Sequence, residues 1–445
     1  MDILTLLPNF GGLAFTLVAF VVALSVIVAV HEYGHYIVGR WSGIHAEVFS
    51  IGFGPVLWSR IDKRGTRWQV ALLPFGGYVK FLGDSNAASG KDADAIEELD
   101  PAELRRTMHG APLWARASTV AAGPVFNFIM SFAVFASVVL ISGQARDPLT
   151  VGEMRPMPPV INQLEPGDEV LRIGGLVTPS VEDLGEYQDT LPLRPVLDYV
   201  VRRDGAERTV EGPYPYPPLV TQLTPQSAAF EAGIEAGDVI IRINDREVFA
   251  FNQLKEVVEG SDGNPLQLEV WRGGGTLGVT LVPRRVDEPQ AEGGFETNWR
   301  IGIAGGMLFE PATERAGLWE AAQYGVGQTA FIIQSSLSGL WHMITGAIST
   351  CNMSGPIGIA EASGAMASQG VSNFIWFIAV LSTAVGLLNL FPIPVLDGGH
   401  LVFHAWEAVT GRPPSDRALQ VLMAGGLTLI LSLMLFALAN DIFCP

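Results

Sequence analysis

An uncharged run of 20 residues, Gly11–Val30, leads directly into His31-Glu32-Tyr33-Gly34-His35. A run of that length can cross the roughly 30 Å of hydrocarbon in a bilayer as one helix. On a helix, His31 and His35 share one face, so both imidazoles can reach one metal ion, and Glu32 can reach a water bound to it. The motif therefore predicts a Zn2+ site with histidine ligands and Glu32 as general base. The alternative is a chance match or a polar helix end, and it is disfavoured because ionisable side chains at membrane depth are functional by default.

Three further uncharged runs are long enough to span a bilayer: Ala117–Ala145, Ala362–Leu396 and Ala418–Asn440. A histidine and a glutamate, not small residues of a cleavage site, follow Val30, so we expect the first run to be retained as a span. Ala321–Ala360 is also uncharged but is interrupted by glycines and a Ser-Gly-Pro turn. We expect an interfacial or re-entrant helix plus a loop there.

The composition excludes other classes of protein. Of the 445 residues, 49% are hydrophobic and only 16% are charged, which argues against disorder and against a purely soluble protein. The net charge of −18 argues against nucleic acid as a partner. Cys351 and Cys444 are too few for a disulfide framework, so we expect packing and the bilayer to hold the fold.

The placement of lysine and arginine predicts the orientation. Neither residue precedes the first span, Arg40 follows it, and three arginines between positions 105 and 116 precede the second span. The segment 40–116 is therefore expected to be cytoplasmic. With four spans, both chain ends and the acidic region 143–370 then lie outside, and the segment between the last two spans lies inside.

Two regions outside the spans predict β structure. In the first, Glu47–Ile51 precedes a Gly-Phe-Gly-Pro turn, and Val56–Ile61 and Thr66–Leu73 flank a hairpin turn. In the second, residues 166–175 are repeated at 236–245, each a Gly-Asp turn that leads into an apolar strand.

This repeat resembles PDZ domains. The match at 219–285 is strong, whereas the first copy, about 150–215, is shorter. A PDZ domain implies a groove in which an extended peptide adds a strand to a sheet edge. The alternative is a pair of small β domains without a ligand.

A tetrahedral catalytic zinc needs a third protein ligand and one open position. The stretch Asn389–His400 supplies two candidates, Asp397 and His400. Asp397 is favoured because a carboxylate is an ordinary third ligand in hydrolytic zinc sites. The topology, derived without the motifs, also places Asp397 on the side of His31 and His35.

Other positions near these motifs have alternative roles. Pro392 and Pro394 break the third span near its inner end. Asn389 either forms an interhelical hydrogen bond or contacts the substrate. His404 and the small residues of Ala122–Asn127, with Asn127 as a polar anchor, are expected to serve packing.

The pairing of HEYGH in the first span with Asn389–Gly399 in the third resembles the site-2 proteases, a family of zinc intramembrane proteases. The resemblance covers nearly the whole chain, including the PDZ pair. It implies these roles: His31, His35 and Asp397 as Zn2+ ligands, Glu32 as the catalytic base, and Asn389, Pro392 and Pro394 as substrate-binding residues.

Within that family the chain is most similar to the bacterial branch that acts on trimmed anti-sigma factors in the sigma-E stress response. The resemblance implies regulated proteolysis of single-span membrane proteins, with remnant signal peptides as a second substrate class. It also implies a bacterial inner-membrane protein with periplasmic PDZ domains and an active site near the cytoplasmic side.

Two other functions remain open on the sequence. The first is a PDZ-bearing membrane scaffold with a vestigial metal site. The second is a transporter with His31, Glu32 and Asp397 on a metal or proton path, which the lack of an inverted repeat of the spans disfavours. The intact Glu32 and the open coordination position favour the enzyme.

The expected fold class is a polytopic α-helical membrane protein with four transmembrane helices, a membrane-associated β segment and two PDZ-like α+β domains. The predicted segments are the first transmembrane helix (1–40), the β-hairpin and loop region (41–116), the second transmembrane helix (117–145), the two PDZ-like domains (146–215 and 216–290), interfacial helices with a loop (291–372), and the third and fourth transmembrane helices (373–400 and 418–440).

Overall fold

The computed structural model describes residues 12–84, 99–289 and 294–444. They belong to two compact units. The membrane unit lies within Met1–Ala136, Ala322–Trp341 and Thr350–Pro445, and the β unit is Ser137–Ala321 with His342–Ser349. The first residue of the first predicted span, Gly11, and the acidic stretch 85–98 of the predicted loop region lie outside the described residues.

Eleven helices are present in the described part of the chain. They are α1 (Leu13–Trp41), α2 (Pro101–Leu104), α3 (Leu113–Ser142), α4 (Leu184–Thr190), α5 (Ala228–Glu231), α6 (Phe251–Glu259), α7 (Leu318–Ile344), α8 (Pro356–Ser368), α9 (Val371–Asn389), α10 (Asp397–Thr410) and α11 (Asp416–Phe443). Four of them, α1, α3, α9 and α11, are long and apolar enough to cross a membrane. The prediction of a polytopic membrane protein with four apolar helices is confirmed.

A hairpin of two long strands, β1 (Ala46–Ile61) and β2 (Arg67–Phe81), follows α1, and the first part of β1 pairs with both the first and the last part of β2. The Gly-Phe-Gly-Pro stretch forms a turn, as predicted. Residues 48–51 pair with 67–70 in the parallel sense, whereas 58–61 pair with the same residues in the antiparallel sense, so the chain reverses between them. Gly52 and Gly54 adopt positive φ angles of 90° and 83° in this turn. The chain reverses at Asp62, whose Oδ1 accepts hydrogen bonds from the backbone of Arg64 and Thr66.

Two parts of this hairpin differ in burial. Next to α1, the rings of Phe49 and Trp68 pack edge-on against Tyr36. After the Gly-Phe-Gly-Pro stretch, Val56, Leu57 and Trp58 are exposed by 49%, 64% and 56%. Exposed apolar side chains of this kind mark a surface that contacts a membrane or a partner.

The third predicted span, 373–400, is broken at Pro392 and Pro394 as predicted, but the residues after the break belong to a separate helix and not to the inner end of the span. Helix α9 ends at Asn389, and α10 begins at Asp397. Between them, Pro392 and Pro394 provide no backbone N–H for a continuous helix. Gly398 lies so close to the carbonyl groups of Leu390 and Phe391 that no side chain would fit there.

The β unit contains sixteen strands in its described residues. They are β3 (Gln144–Ala145), β4 (Val151–Met154), β5 (Glu169–Ile173), β6 (Leu176–Val177), β7 (Val196–Arg203), β8 (Ala206–Pro213), β9 (Gln222–Leu223), β10 (Val239–Ile243), β11 (Arg246–Glu247), β12 (Leu266–Arg272), β13 (Gly275–Leu281), β14 (Arg284–Pro289), β15 (Phe295–Arg300), β16 (Ile303–Ala304), β17 (Phe309–Pro311) and β18 (Thr313–Glu314). The two sequence repeats form two four-stranded sheets of the same order, β6-β5-β7-β8 and β11-β10-β12-β13. Each sheet has its own apolar core.

The segment 291–372 is not only helices and loop, as predicted. It begins with strands, and β17 pairs with β4 of the first repeat. The sequence hid this pairing because the two partners are separated by the whole second repeat.

The two cysteines also depart from the expectation that packing and the bilayer alone hold the fold. Cys351 and Cys444, 93 residues apart, form a disulfide that ties the end of α11 to the segment before α8. Asp441 of α11 adds to this connection, because its carboxylate accepts hydrogen bonds from the backbone of Gly355, Ile357 and Gly358 at the start of α8.

Candidate metal centre

Three side chains of the membrane unit converge on one point. His31 and His35 lie one turn apart on α1, with 3.2 Å between their Nε2 atoms. Asp397, the first residue of α10, places Oδ2 3.1 Å from Nε2 of His31 and 3.5 Å from Nε2 of His35. Within the described residues these three form a group that can hold a metal ion.

The geometry and the chemistry of this group fit zinc. In a tetrahedral site with zinc–ligand bonds of about 2.0–2.1 Å, neighbouring ligand atoms stand about 3.3–3.4 Å apart, which is the scale of the three distances above. Two imidazoles and a carboxylate leave one position open, as hydrolytic zinc sites require. Oδ2 of Asp397 is buried and has no hydrogen-bond partner among the described residues, so a cation would satisfy it.

The second ring nitrogens of both histidines are held by α3. Nδ1 of His35 donates to the carbonyl of Thr119 over 2.8 Å. Nδ1 of His31 lies 3.2 Å from the side-chain amide of Asn127, a fully buried residue whose Oδ1 has no partner among the residues described. A half-turn of that amide lets Oδ1 accept the Nδ1–H of His31, and a metal bound at Nε2 requires the proton to be on Nδ1.

Small residues allow α1 and α3 to approach closely at this point. A side chain at Gly123 would collide with the imidazole of His35, and one at Gly34 would collide with the carbonyl of Ala122. Because Gly123 has no side chain, the space beside the imidazoles of His31 and His35 stays open.

Glu32 lies beside the three residues and faces the hairpin. A Cβ at Gly77 of β2 would stand 3.1 Å from Cγ of Glu32, and the backbone of Val79 hydrogen-bonds the carboxylate. Its charge interacts with those of His31, His35 and Asp397. A carboxylate so placed can exchange a proton with a water at the open position.

Helix α10, which carries Asp397, is fixed to α3 by an ion pair. Arg116 donates from both terminal nitrogens to the carboxylate of Glu407, over 3.0 and 2.6 Å. On the same helix, burial and the nearby Arg116 lower the pKa of His404 to about 4. A neutral, half-buried imidazole agrees with the packing role expected for His404.

The other sequence candidates are separate from the three converging atoms. The ring of His400 packs edge-on against Phe403, and His400 is not in the group of three. Asn389 donates to the carbonyl of Val385, one turn back on its own helix. Pro394 lies close to Gly426 of α11, because a Cβ at position 426 would stand 3.1 Å from Cδ of Pro394.

Sequence reasoning underestimated the residues of α3. Asn127 and the region of Gly123 were assigned to packing, yet Asn127 contacts His31 and Gly123 faces both histidines. A usable signal was present, since Gly123 and Asn127 are four residues apart and share a helix face. The backbone carbonyl of Thr119 left no signal, because any residue supplies one.

The model of peptidase family M50 matches residues 19–433. The chain belongs to peptidase family M50. A putative zinc metalloprotease of Agrobacterium fabrum is 35% identical over 98% of both chains. One of Rhizobium meliloti is 34% identical over 97% of both chains. The regulator of sigma-E protease RseP of Salmonella typhimurium is 33% identical over 97% of this chain and 99% of its own length.

Membership of M50 confirms the resemblance to site-2 proteases. This M50 protein is an intramembrane metalloprotease of the site-2 type, and zinc is its cofactor. The scaffold and transporter alternatives are therefore not needed to explain its motifs.

Proposed function

We propose that His31, His35 and Asp397 hold the zinc ion and that Glu32 is the catalytic base for cleavage of a peptide bond in a single-span membrane protein. The observation that carries this assignment is the convergence of two imidazole nitrogens and one carboxylate oxygen from distant segments, with Glu32 beside them. When bound, zinc polarises the scissile carbonyl and lowers the pKa of its water to about 7.

The residues of the chain supply the remaining chemistry. Glu32 takes the proton of the attacking water and later passes it to the leaving amine. Thr119 and Asn127 fix the orientation of the two imidazoles through contacts with their Nδ1 atoms. Asn389 ends α9, Pro392 and Pro394 lie in the break before α10, and these three residues are proposed to position the substrate backbone.

The β1–β2 hairpin is proposed to hold the substrate in an extended form. A transmembrane helix hides its carbonyls in i→i−4 hydrogen bonds, so it must unwind before attack. A free strand edge replaces the lost bonds by strand addition. Since β2 lies against Glu32, single prolines along β2 should lower turnover at positions of the free edge, whereas alanines there should not. Unchanged turnover across such a proline series, with zinc content retained, would contradict this role.

The proposed setting is the bacterial inner membrane, with the segment 40–116 and the metal centre on the cytoplasmic side. The disulfide supports this orientation, because Cys351 and Cys444 both fall in parts that the arginine pattern places outside, and disulfides persist in oxidising compartments. Because both cysteines are joined in the disulfide, an alkylating reagent added to intact cells without a reductant should modify neither of them.

The two repeats are proposed to be PDZ-like domains in the periplasm that act as a filter. They would admit single-span substrates of the anti-sigma factor type only after removal of the outer domain, and remnant signal peptides would pass for the same reason. A relative named regulator of sigma-E protease supports this substrate class. Deletion of 150–285 should raise cleavage of full-length substrate relative to trimmed substrate, and an unchanged ratio would refute the filter.

The central experiment uses the full chain in liposomes with one transmembrane reporter substrate. Glu32→Gln should abolish cleavage and leave zinc content unchanged, because Glu32 transfers protons and does not hold the metal. Glu47→Gln, a matched change at a surface ion pair with Lys80, should preserve both. Cleavage by Glu32→Gln at the unmodified rate would refute the assignment of the base.

A further inference from the structure

The two repeats of the β unit can be aligned residue by residue from their hydrogen bonds. Val151 donates its N–H to the carbonyl of Asp168 over 2.8 Å, and Val220 donates to the carbonyl of Asp238 over 2.8 Å. The glycine before each aspartate has the same positive φ of 96°. Val151 therefore corresponds to Val220.

The alignment extends to the strand that completes each repeat. Three residues after the aligned valines, Met154 pairs with Phe309 of β17, and Leu223 pairs with Ile303 of β16. Phe309 thus corresponds to Ile303, and the preceding Leu308 corresponds to Gly302. The first repeat takes this strand from a part of the chain that follows the second repeat.

In the second repeat an open groove lies beside this strand. It has a volume of about 290 Å³ and lies between α6 and Ile301–Ile303, with Phe251, Leu254 and Val258 of α6 on one wall. This is the position in which an extended peptide adds a strand in PDZ-type recognition.

In the first repeat, the chain itself lies at the corresponding position. The N–H of Leu308 donates to the carbonyl of Pro215 over 2.9 Å. The hydroxyl of Tyr216 donates to the carbonyl of Leu184 in α4, and that of Tyr214 donates to the carbonyl of Gln188, over 3.2 and 3.3 Å.

Burial shows that these contacts fill the space. Tyr214 and Tyr216 are only 2% and 8% exposed, and both belong to the apolar core of the first repeat together with Leu308 and Phe309. Pro215 and Pro217 have no N–H, so the segment offers few donors to which a further strand could pair.

We propose that Tyr214–Pro217 is a built-in ligand that closes the peptide groove of the first repeat, so that an extended peptide docks only in the second repeat. The segment is covalently tethered beside its groove, and the resulting effective concentration, on the order of millimolar or above, excludes weak peptides. The inference rests on the proposed PDZ-like role of the outer unit, and it restricts that role to one open site.

The test uses the full chain with Glu32→Gln in detergent micelles and a synthetic peptide of residues 211–219 that carries a photo-crosslinker. In the parent chain, crosslinks to α4 should be absent, and the amide of Leu308 should exchange slowly with deuterium. In the Tyr214→Ala/Tyr216→Ala variant, exchange at Leu308 should be faster by at least about tenfold, and the peptide should crosslink to α4 and restore slow exchange.

Crosslinking to α4 in the parent chain, or equally fast exchange of Leu308 in both proteins, would overturn the proposal. If the double variant does not fold, Tyr216→Phe keeps the ring and removes only the hydroxyl bond to Leu184, and it should speed exchange at Leu308 with the fold intact. An unchanged exchange rate of the Leu308 amide in Tyr216→Phe would then contradict the proposed built-in ligand. None of these readouts depends on proteolysis. If the chain with Glu32 intact cleaved no reporter substrate while Leu308 stayed protected, only the proposed function would be refuted.

Discussion

Carboxylates with buried oxygen atoms occur in both units, and their surroundings differ. In the membrane unit, Asp397 faces two imidazole nitrogens, and its Oδ2 has no hydrogen-bond partner within the described ranges. In the β unit, Asp168 and Asp238 each accept two hydrogen bonds from one arginine, Arg203 or Arg272, over 2.6 and 2.7 Å. A carboxylate with too few partners is prepared for a cation, whereas one with all its partners holds a fold together.

The largest expected effect is at Asp397. Asp397→Asn keeps the shape but removes the charge that faces both imidazoles. We expect zinc retention to fall by more than about a hundredfold, because changes behind a metal ligand already cost about 10–100-fold, and cleavage should be lost. Metal analysis after dialysis against a chelator, with a reporter cleavage assay, measures both. Asp168→Asn is the matched control and should keep its zinc; one zinc per chain in Asp397→Asn would show that Asp397 is not a ligand.

The corresponding change in the β unit should affect stability and not metal binding. Asp238→Asn removes the carboxylate that accepts two hydrogen bonds from Arg272, whose guanidinium then keeps only the exposed Glu235 as a charged partner. This should lower the opening free energy of the second repeat by about 2 kcal/mol. Deuterium exchange of β10 and β12 amides measures this. Arg242→Ala removes a surface pair with Glu269 on the same two strands, in which the side chains are 44% and 40% exposed, and it should cost less than about 1 kcal/mol. Equal effects of the two changes would contradict the structural role of the buried pair.

An intermediate effect is expected at Asn127, which acts on zinc only through His31. Asn127→Ala should weaken zinc affinity by about 10–100-fold, because the imidazole loses the acceptor for its Nδ1–H. Asn127→Asp keeps an acceptor oxygen and should restore most of the affinity. Ser131→Ala, one turn further along α3, removes hydrogen bonds to the carbonyls of Asn127 and Ala379 without touching His31 and is the control. Competition with a fluorescent chelator measures the zinc affinities. Equal zinc affinities of Asn127→Ala and Asn127→Asp would contradict the proposed contact with His31.

The smallest effect is a pH dependence in the first repeat. Burial raises the pKa of Asp168, but the hydrogen bonds from Arg203 and from the backbone of Glu165, together with the positive charges of Arg203 and Arg208, outweigh it and leave the pKa below the ordinary value of 3.8. A group with a lowered folded-state pKa stabilises the fold above its unfolded value and loses that contribution as the pH falls through the folded value. Stability should therefore be level above about pH 4 and decline below it. Exchange of β5 and β7 amides between pH 2 and 6 should show a shallower decline in Asp168→Asn, and identical slopes would contradict the linkage.

The sequence was informative wherever local spacing carries the signal. The spacing of His31 and His35 placed both on one helix face, and uncharged runs indicated the four apolar helices that the structure contains. The repeated Gly-Asp turn indicated two similar β domains, and their sheets do share one strand order. In each case the responsible interactions lie within a few residues of one another, so the pattern is visible in one dimension.

The sequence was less informative where partners are far apart in the chain. It could not show that β17 completes the first repeat, that Cys351 meets Cys444, or that Pro215 reaches Leu308. Such contacts depend on the path of the intervening chain, and proline, cysteine and leucine carry no local mark of their partners.

The sequence by itself determined that this chain is a membrane protein of family M50 with a histidine pair at the end of its first span, because hydrophobic length and helical spacing are local properties. Only the tertiary structure decided that Asp397 and not His400 approaches that pair, and that Asn127 stands behind His31. These choices depend on how α1, α3 and α10 pack, and packing is set by the shape of the whole helix bundle and not by any one segment.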